Sequence, residues 1–216
     1  MREIAARVAR AARLAGLATD VTIVAVSKQR TSEEIAEAFR AGQRDFGESY
    51  AQEAVRKIDA LRDLDVTWHF IGALQANKTR LVAEKFQWVH NVDRAKIAAR
   101  LNEQRPHFAP PLDVLIQVNQ AREAQKSGAA VEDVPALARA ILALPRLRLR
   151  GLMAIPPADS DPEPWFRALA ALHARLRGEG LALDTLSMGM SADFEKAIAA
   201  GSNCVRIGTA IFGPRA

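Results

Sequence analysis

A single cysteine (Cys204), a single tyrosine (Tyr50) and an aromatic content of 6% stand out first in this 216-residue chain. One thiol excludes any internal disulfide and any multi-cysteine metal cage. The four histidines show no HxH or HExxH spacing and there is no CxxC, so the usual signatures of zinc and redox sites are missing. No apolar run approaches the roughly 20 residues that a membrane span needs. The N-terminal segment MREIAARVARAARLAG scatters arginines among helically spaced apolar positions, unlike the unbroken apolar stretch of a signal peptide. A soluble, cytoplasmic protein with no membrane partner is expected.

What is present is a 49% hydrophobic composition, enough to bury a sizeable core in one domain spanning 1–216. The net charge of +5 raises the question of nucleic acid. Arginines are spread along the whole chain, mostly near Asp or Glu. The densest group, Arg146, Arg148 and Arg150, alternates with Leu147 and Leu149 at strand period and reads as one solvated strand face. No nucleic-acid partner is expected; the excess of positive charge suits anionic small molecules instead. Cys204 reads as a small buried thiol.

Apolar or β-branched segments alternate with helical ones along the whole chain. Strands are predicted at Thr22–Ser27, Arg44–Glu48, Val66–Gly72, Phe86–Val92, Leu112–Val118, Leu149–Ile155, Asp184–Gly189 and Asn203–Gly208. Between them, Val134, Leu137, Ile141 and Leu144 recur at helical spacing, as do Trp165, Leu169, Leu172 and Leu176. Gly42 and Gly201 sit where helices stop. Eight strands alternating with helices predict an α/β fold, a parallel (β/α)8 TIM-type barrel with an additional N-terminal helix. A doubly wound open sheet is the alternative, and it lacks a G-x-G-x-x-G turn after the first strand.

In such a barrel the C-terminal ends of the strands face the active-site mouth. Lys28 follows the apolar Val24-Ala25-Val26 with only Ser27 between, so its amine lies at the mouth, where partial desolvation favours attack on a carbonyl and a Schiff base. A plain exposed loop lysine is the competing reading. Ser191, expected at a helix start after the seventh strand, and Gly208-Thr209 after the eighth supply hydroxyls and close backbone for a phosphate. Taken singly these are an N-cap and a turn; together with Lys28 they read as a site. His69 and His90 within strands, His107 in a loop and His173 in a helix read as satisfied structural histidines, and no metal is implied.

The motifs VAVSK, AGQRDFGESYAQEAVRK, WHFIGALQANK, KSG, LRLRGLMAI and LSMGMSADFEKAIAAGSNCVRIGTAIFG together resemble the pyridoxal-phosphate homeostasis protein family, single-domain relatives of the alanine racemase N-terminal barrel. The resemblance spans nearly the whole chain. It implies that Lys28 carries pyridoxal 5'-phosphate (PLP) as an internal aldimine. It further implies that Ser191, Gly208 and Thr209 hold the phosphate and that Arg206 faces the pyridine nitrogen. Met153, Ser187 and Met190 would line the pocket. Ser49 stands where the family usually has asparagine, a departure that loosens the contact expected there; Gln29 replaces a more usual threonine. The implied role is to hold PLP and buffer or deliver it, as a monomer that meets PLP-dependent apo-enzymes transiently. The alternative is a truncated PLP-dependent amino-acid racemase, for which the only tyrosine, Tyr50, would have to serve as a base; it reads instead as packing at the head of the next helix.

Overall fold

A computed structural model describes residues 1–123 and 125–214. The strands are β1 (Thr22–Val26), β2 (Asp45–Glu48), β3 (Thr67–Phe70), β4 (Trp88–Val92), β5 (Leu112–Gln117), β6 (Leu147–Met153), β7 (Thr185–Ser187) and β8 (Cys204–Ile207). The helices are α1 (Arg2–Leu14), α2 (Ser32–Arg40), α3 (Ala51–Ala60), α4 (Thr79–Lys85), α5 (Ala95–Gln104), α6 (Val134–Leu142), α7 (Pro162–Gly178), α8 (Phe194–Ala199) and α9 (Thr209–Phe212). The strands pair in parallel in sequence order, and β8 returns to β1 to close the barrel.

Local signals account for the element ends. Thr31 caps α2 through a capping box with Glu34. Gly42 and Gly201 follow α2 and α8 with φ +101° each, a backbone conformation glycine adopts without strain. Asp161 accepts from the Glu163 amide and starts α7 with Pro162 at its first position. Gly151 is required by packing, because a Cβ there would fall 1.7 Å from the Thr185 carbonyl oxygen. No helix among the described residues is long and apolar enough to cross a membrane.

Two differences from the sequence reading concern the outer core. β6 starts at Leu147, so Leu147 and Leu149 pack outward while Arg148 and Arg150 turn toward acids on neighbouring strands. Arg148 pairs with Asp113, and Arg150 with both Asp113 and Asp184. The alternation with buried Leu147 and Leu149 keeps the expected solvated face, to which Arg148 and Arg150 add ion pairs. In α7 the fully buried aromatic is Phe166, not its half-buried neighbour Trp165.

Between the sheet and its helices lies a continuous apolar shell that includes Ile35, Phe46, Phe70, Phe86, Ile97, Leu101, Ile116, Ile141 and Phe166, all essentially inaccessible. α1 completes the ring by laying Ile4 and Val8 on Phe194, Ile198, Val205 and Ile207.

Candidate functional site

Registered partners in a parallel sheet point their side chains to the same face. The register pairs Val24 with Arg206, Val26 with Gly47, Gly47 with His69, Met153 with Ser187, and Ser187 with Cys204. These positions form one inward-facing set. The Arg206 guanidinium donates from Nη1 to Ser187 Oγ at 2.6 Å and from Nη2 to the Ala154 carbonyl at 3.1 Å. It is 4% exposed, and among the described residues no carboxylate forms an ion pair with it. Burial presses its pKa downward, and a guanidinium still keeps its charge. A buried cation without a counter-ion is costly in a closed protein. A ligand that brings an acceptor or a negative charge to the mouth would lower that cost.

The loops that follow β7 and β8 meet beside this guanidinium. Gly189 has φ +93°, and a Cβ on it would approach Ala197 Cβ to 2.6 Å and Phe194 Cα to 2.9 Å, so the loop needs glycine there. Ser191 lies in the turn before α8 rather than at the helix start expected from the sequence; the helix begins at Phe194 after Asp193. The Asp193 carboxylate instead accepts from the Met190 amide at 2.6 Å. Ser191 Oγ accepts from the Ala210 amide at 3.3 Å, which ties the two loops together next to Thr209. Gly208 opens α9 beside Val26, and Thr209 is exposed. Met153 is buried, whereas Met190 stands at the rim, 40% exposed.

Lys28 is half-buried in the turn after β1. Pairing of Val26 with Gly47 places Ser49, also half-buried, at the matching position past β2. Behind this turn lies a polar clamp that the sequence did not reveal. Lys57 Nζ donates to the Ser27 carbonyl at 2.8 Å, to Glu48 Oε1 at 2.8 Å and to Glu53 Oε1 at 2.6 Å. Glu48 Oε1 also accepts from Ser27 Oγ at 2.7 Å, and Glu53 Oε1 from the Gln29 amide at 2.7 Å. Gln29 is held at φ +61°, uncommon for a residue with a side chain. The residues on both sides of Lys28 are thus fixed from behind the strand. Burial raises the Glu48 pKa despite its bonds to Lys57 and Ser27; at Glu53 burial is outweighed by Lys57 and the Gln29 amide, and the pKa falls. Only the Glu53–Lys57 spacing of four was visible beforehand.

The histidines within strands are satisfied, as read from the sequence, but by each other. His69 Nδ1 lies 2.9 Å from His90 Nε2, His69 Nε2 lies 2.9 Å from Asp45 Oδ1, and His90 Nδ1 lies 3.1 Å from Ser187 Oγ. β4 and β7 are not neighbours, so the His90–Ser187 bond crosses the barrel interior. Burial first, then His69 and Arg206, hold the His90 pKa well below its ordinary value. Cys204 is buried as expected, and burial pushes its thiol up to about 11. Tyr50 precedes α3 as its cap residue but is 54% exposed, so it does not pack there. No group of three or more His, Cys, Asp or Glu side chains suited to a metal occurs among the described residues.

Comparison with known proteins gives consistent matches. A family profile described as alanine racemase, N-terminal domain, matches residues 1–216. The pyridoxal phosphate homeostasis protein of Pseudomonas aeruginosa is 55% identical over 214 residues, covering 99% of this chain and 93% of the relative. The protein of that name from Escherichia coli is 55% identical over 202 residues, covering 91% of this chain and 86% of its own. Among solved structures, PipY of Synechococcus elongatus with PLP bound superposes with a TM-score of 0.82 at 35% identity, covering 97% of this chain and all of that one.

Proposed function

This chain belongs to the alanine racemase N-terminal domain family and, within it, to the pyridoxal phosphate homeostasis proteins; we propose that it holds PLP through Lys28 as a Schiff base. In this reading it works as a monomer in the cytoplasm, buffers PLP and delivers it to PLP-dependent apo-enzymes, without robust catalysis of its own. PipY, with PLP bound in its solved structure, supports the choice of cofactor.

The residues fit the group. Ser191, Gly208 and Thr209 would receive the phosphate, while Met153, Met190, Ser187 and Ser49 surround the ring. Arg206 is the observation that carries the functional reading. A guanidinium has only donors, so opposite the pyridine nitrogen it leaves that nitrogen unprotonated. When bound, such a PLP supplies an aldehyde for a covalent link but only a weak electron sink, which suits storage better than carbanion chemistry.

Borohydride reduction of the loaded protein followed by peptide mass mapping tests the linkage; the adduct is expected on Lys28, and an adduct on Lys78 or Lys126 would refute it. Alanine incubated with the loaded protein in D2O tests the role. Exchange of its α-proton at roughly 1 per second or faster, a rate typical of enzymes, would replace the carrier with a racemase.

A further inference from the structure

The hydrogen bonds inside the barrel form a continuous chain from Arg206 to Asp45. Arg206 can only donate, so Ser187 Oγ accepts from it. The Ser187 hydroxyl keeps a proton of its own, and the assignment that runs the chain in one direction has it donate to an unprotonated His90 Nδ1. A neutral His90 carries its proton on Nε2 and gives it to His69 Nδ1. His69 in turn carries its proton on Nε2 and donates to Asp45 Oδ1. In this one-directional assignment both histidines carry a proton on Nε2 and none on Nδ1.

The far end opens to solvent. Asp45 and His69, with Thr22, Trp88, Arg150 and Asp184, line a cavity of about 260 Å³ at the N-terminal face of the barrel, away from Lys28. Trp88 stacks on His69, with centroids 5.4 Å apart and planes 14° from parallel, so the ring cannot tilt freely. Arg150 lies over Trp88, 4.8 Å from its centroid, and is tied to Asp113 and Asp184. The acceptor end is therefore held by the strand starts, while the donor end reaches the cofactor site. A guanidinium does not give up its proton at accessible pH, so the chain cannot pass protons to the ring; it can pass orientation.

We propose that Asp45, His69 and His90 are positioning residues for the bound cofactor: their chain draws the Ser187 proton toward His90, which turns the hydroxyl's lone pairs to Arg206 and so keeps the guanidinium's remaining donors aimed at the pyridine nitrogen. This rests on the reading of the site as a PLP site. Without the chain, the Ser187 hydroxyl is free to rotate, and Arg206 has a less directional anchor 2.6 Å away.

The test has two parts. In the unloaded wild type, long-range proton–nitrogen NMR should find both His69 and His90 protonated on Nε2 alone; a proton on Nδ1 of either would overturn the chain whatever the protein binds. In the full-length protein loaded with PLP labelled with nitrogen-15 in the ring, Asp45→Leu and His90→Leu should both move the ring-nitrogen signal. Both should weaken PLP and unphosphorylated pyridoxal by the same factor, about three- to tenfold, the range of one neutral hydrogen bond. Asp45→Asn keeps an accepting oxygen and should restore the wild-type signal. Leu169→Ala, in the outer shell, should lower thermal stability without moving it. An unchanged ring signal in Asp45→Leu, whose site lies at the solvent-facing end and does not depend on His90→Leu folding, would sink the proposal. Failure of the wild type to take up PLP would instead sink the carrier reading, and the histidine tautomers would still be decided.

Discussion

The two faces of the barrel sheet are built from different chemistry. Outward, Phe46, Phe70, Val114, Ile116 and Leu152 meet helix residues such as Ile97, Ile141 and Phe166 in a continuous apolar shell. Inward, Asp45, His69, His90, Ser187 and Arg206 run through the interior in hydrogen-bonded contact. Apolar burial is roughly proportional to area and undirected, so the shell can supply stability without specifying any atom's position. The interior does the reverse. Its groups are costly to bury, and each is acceptable only because the next one satisfies it, which makes the set a positional device.

If apolar packing supplies stability and buried polar groups supply position, on either face of the sheet, two changes of similar cost should have different consequences. Phe166→Ala empties part of the shell and should cost about 3–5 kcal/mol. Lys57→Met strands Glu48, which is 0% exposed, and should also cost about 3–5 kcal/mol, the range for breaking a buried ion pair. Urea denaturation measures both. Phe166→Ala should keep wild-type affinity for PLP, because the mouth is untouched. Lys57→Met should lose affinity as well, since Lys57 holds the Ser27 carbonyl beside Lys28. Equal affinity losses in the two variants would erase the distinction.

The same contrast explains what the sequence could show. The eight strands, their order and the helical faces of α6 and α7 were legible because the shell is written in periodicity: apolar residues at spacing two or 3.6. Gly42 and Gly201 marked helix ends through backbone conformation alone. The interior chain was not legible, because it joins β2, β3, β4, β7 and β8 through a register that no single segment encodes. His69 and His90 each look like an isolated polar residue in a strand. Only closure of the barrel brings His90 to Ser187, 97 positions away. Ser191 differs from its expected place at a helix start for a related reason: a serine just before ADFEKAI fits a helix start, yet the helix waits for Phe194. The clamp around Lys57 was hidden because its partners come from the ends of β1 and β2.

A smaller effect separates the mouth from everything beneath it. Ser191→Ala with Thr209→Ala removes two hydroxyls proposed to face a dianion, each worth about 1.5–3 kcal/mol as a bond to a charged group. Affinity for PLP should fall at least about a hundredfold. Affinity for unphosphorylated pyridoxal should stay close to wild type, and calorimetric titration with both ligands reads the difference. Stability of the unloaded protein should change little, because Thr209 is exposed and, among the described residues, the Ser191 hydroxyl anchors the Ala210 amide alone. A matching loss for pyridoxal would place these residues outside the phosphate site.

The smallest expected effect compares one histidine from each region. His90 lies in the interior chain and His173 on α7, and burial is the leading cause of a lowered pKa at both. An unfolded histidine titrates near its ordinary value of about 6.5. Below that pH the unfolded chain binds protons that the folded chain refuses, so the stabilising contribution is complete above about 6.5 and is lost as pH falls toward the folded-state values. Each histidine adds a slope of up to about 1.4 kcal/mol per pH unit in that window. Glu48, with its raised pKa, acts with the opposite sign, losing stability as pH rises, but it is common to every variant and cancels in the difference. His173→Gln and His90→Gln should therefore each flatten the acid limb of the stability curve by a similar amount. The two should part in the loaded protein, where only His90→Gln disturbs Ser187 and Arg206 and so changes the cofactor's absorbance. Chemical denaturation between pH 5 and 7, about the range where histidine titrates, measures the first effect, and spectra of the same samples measure the second. Identical spectra for the two variants would mean that the interior of this barrel is only another core.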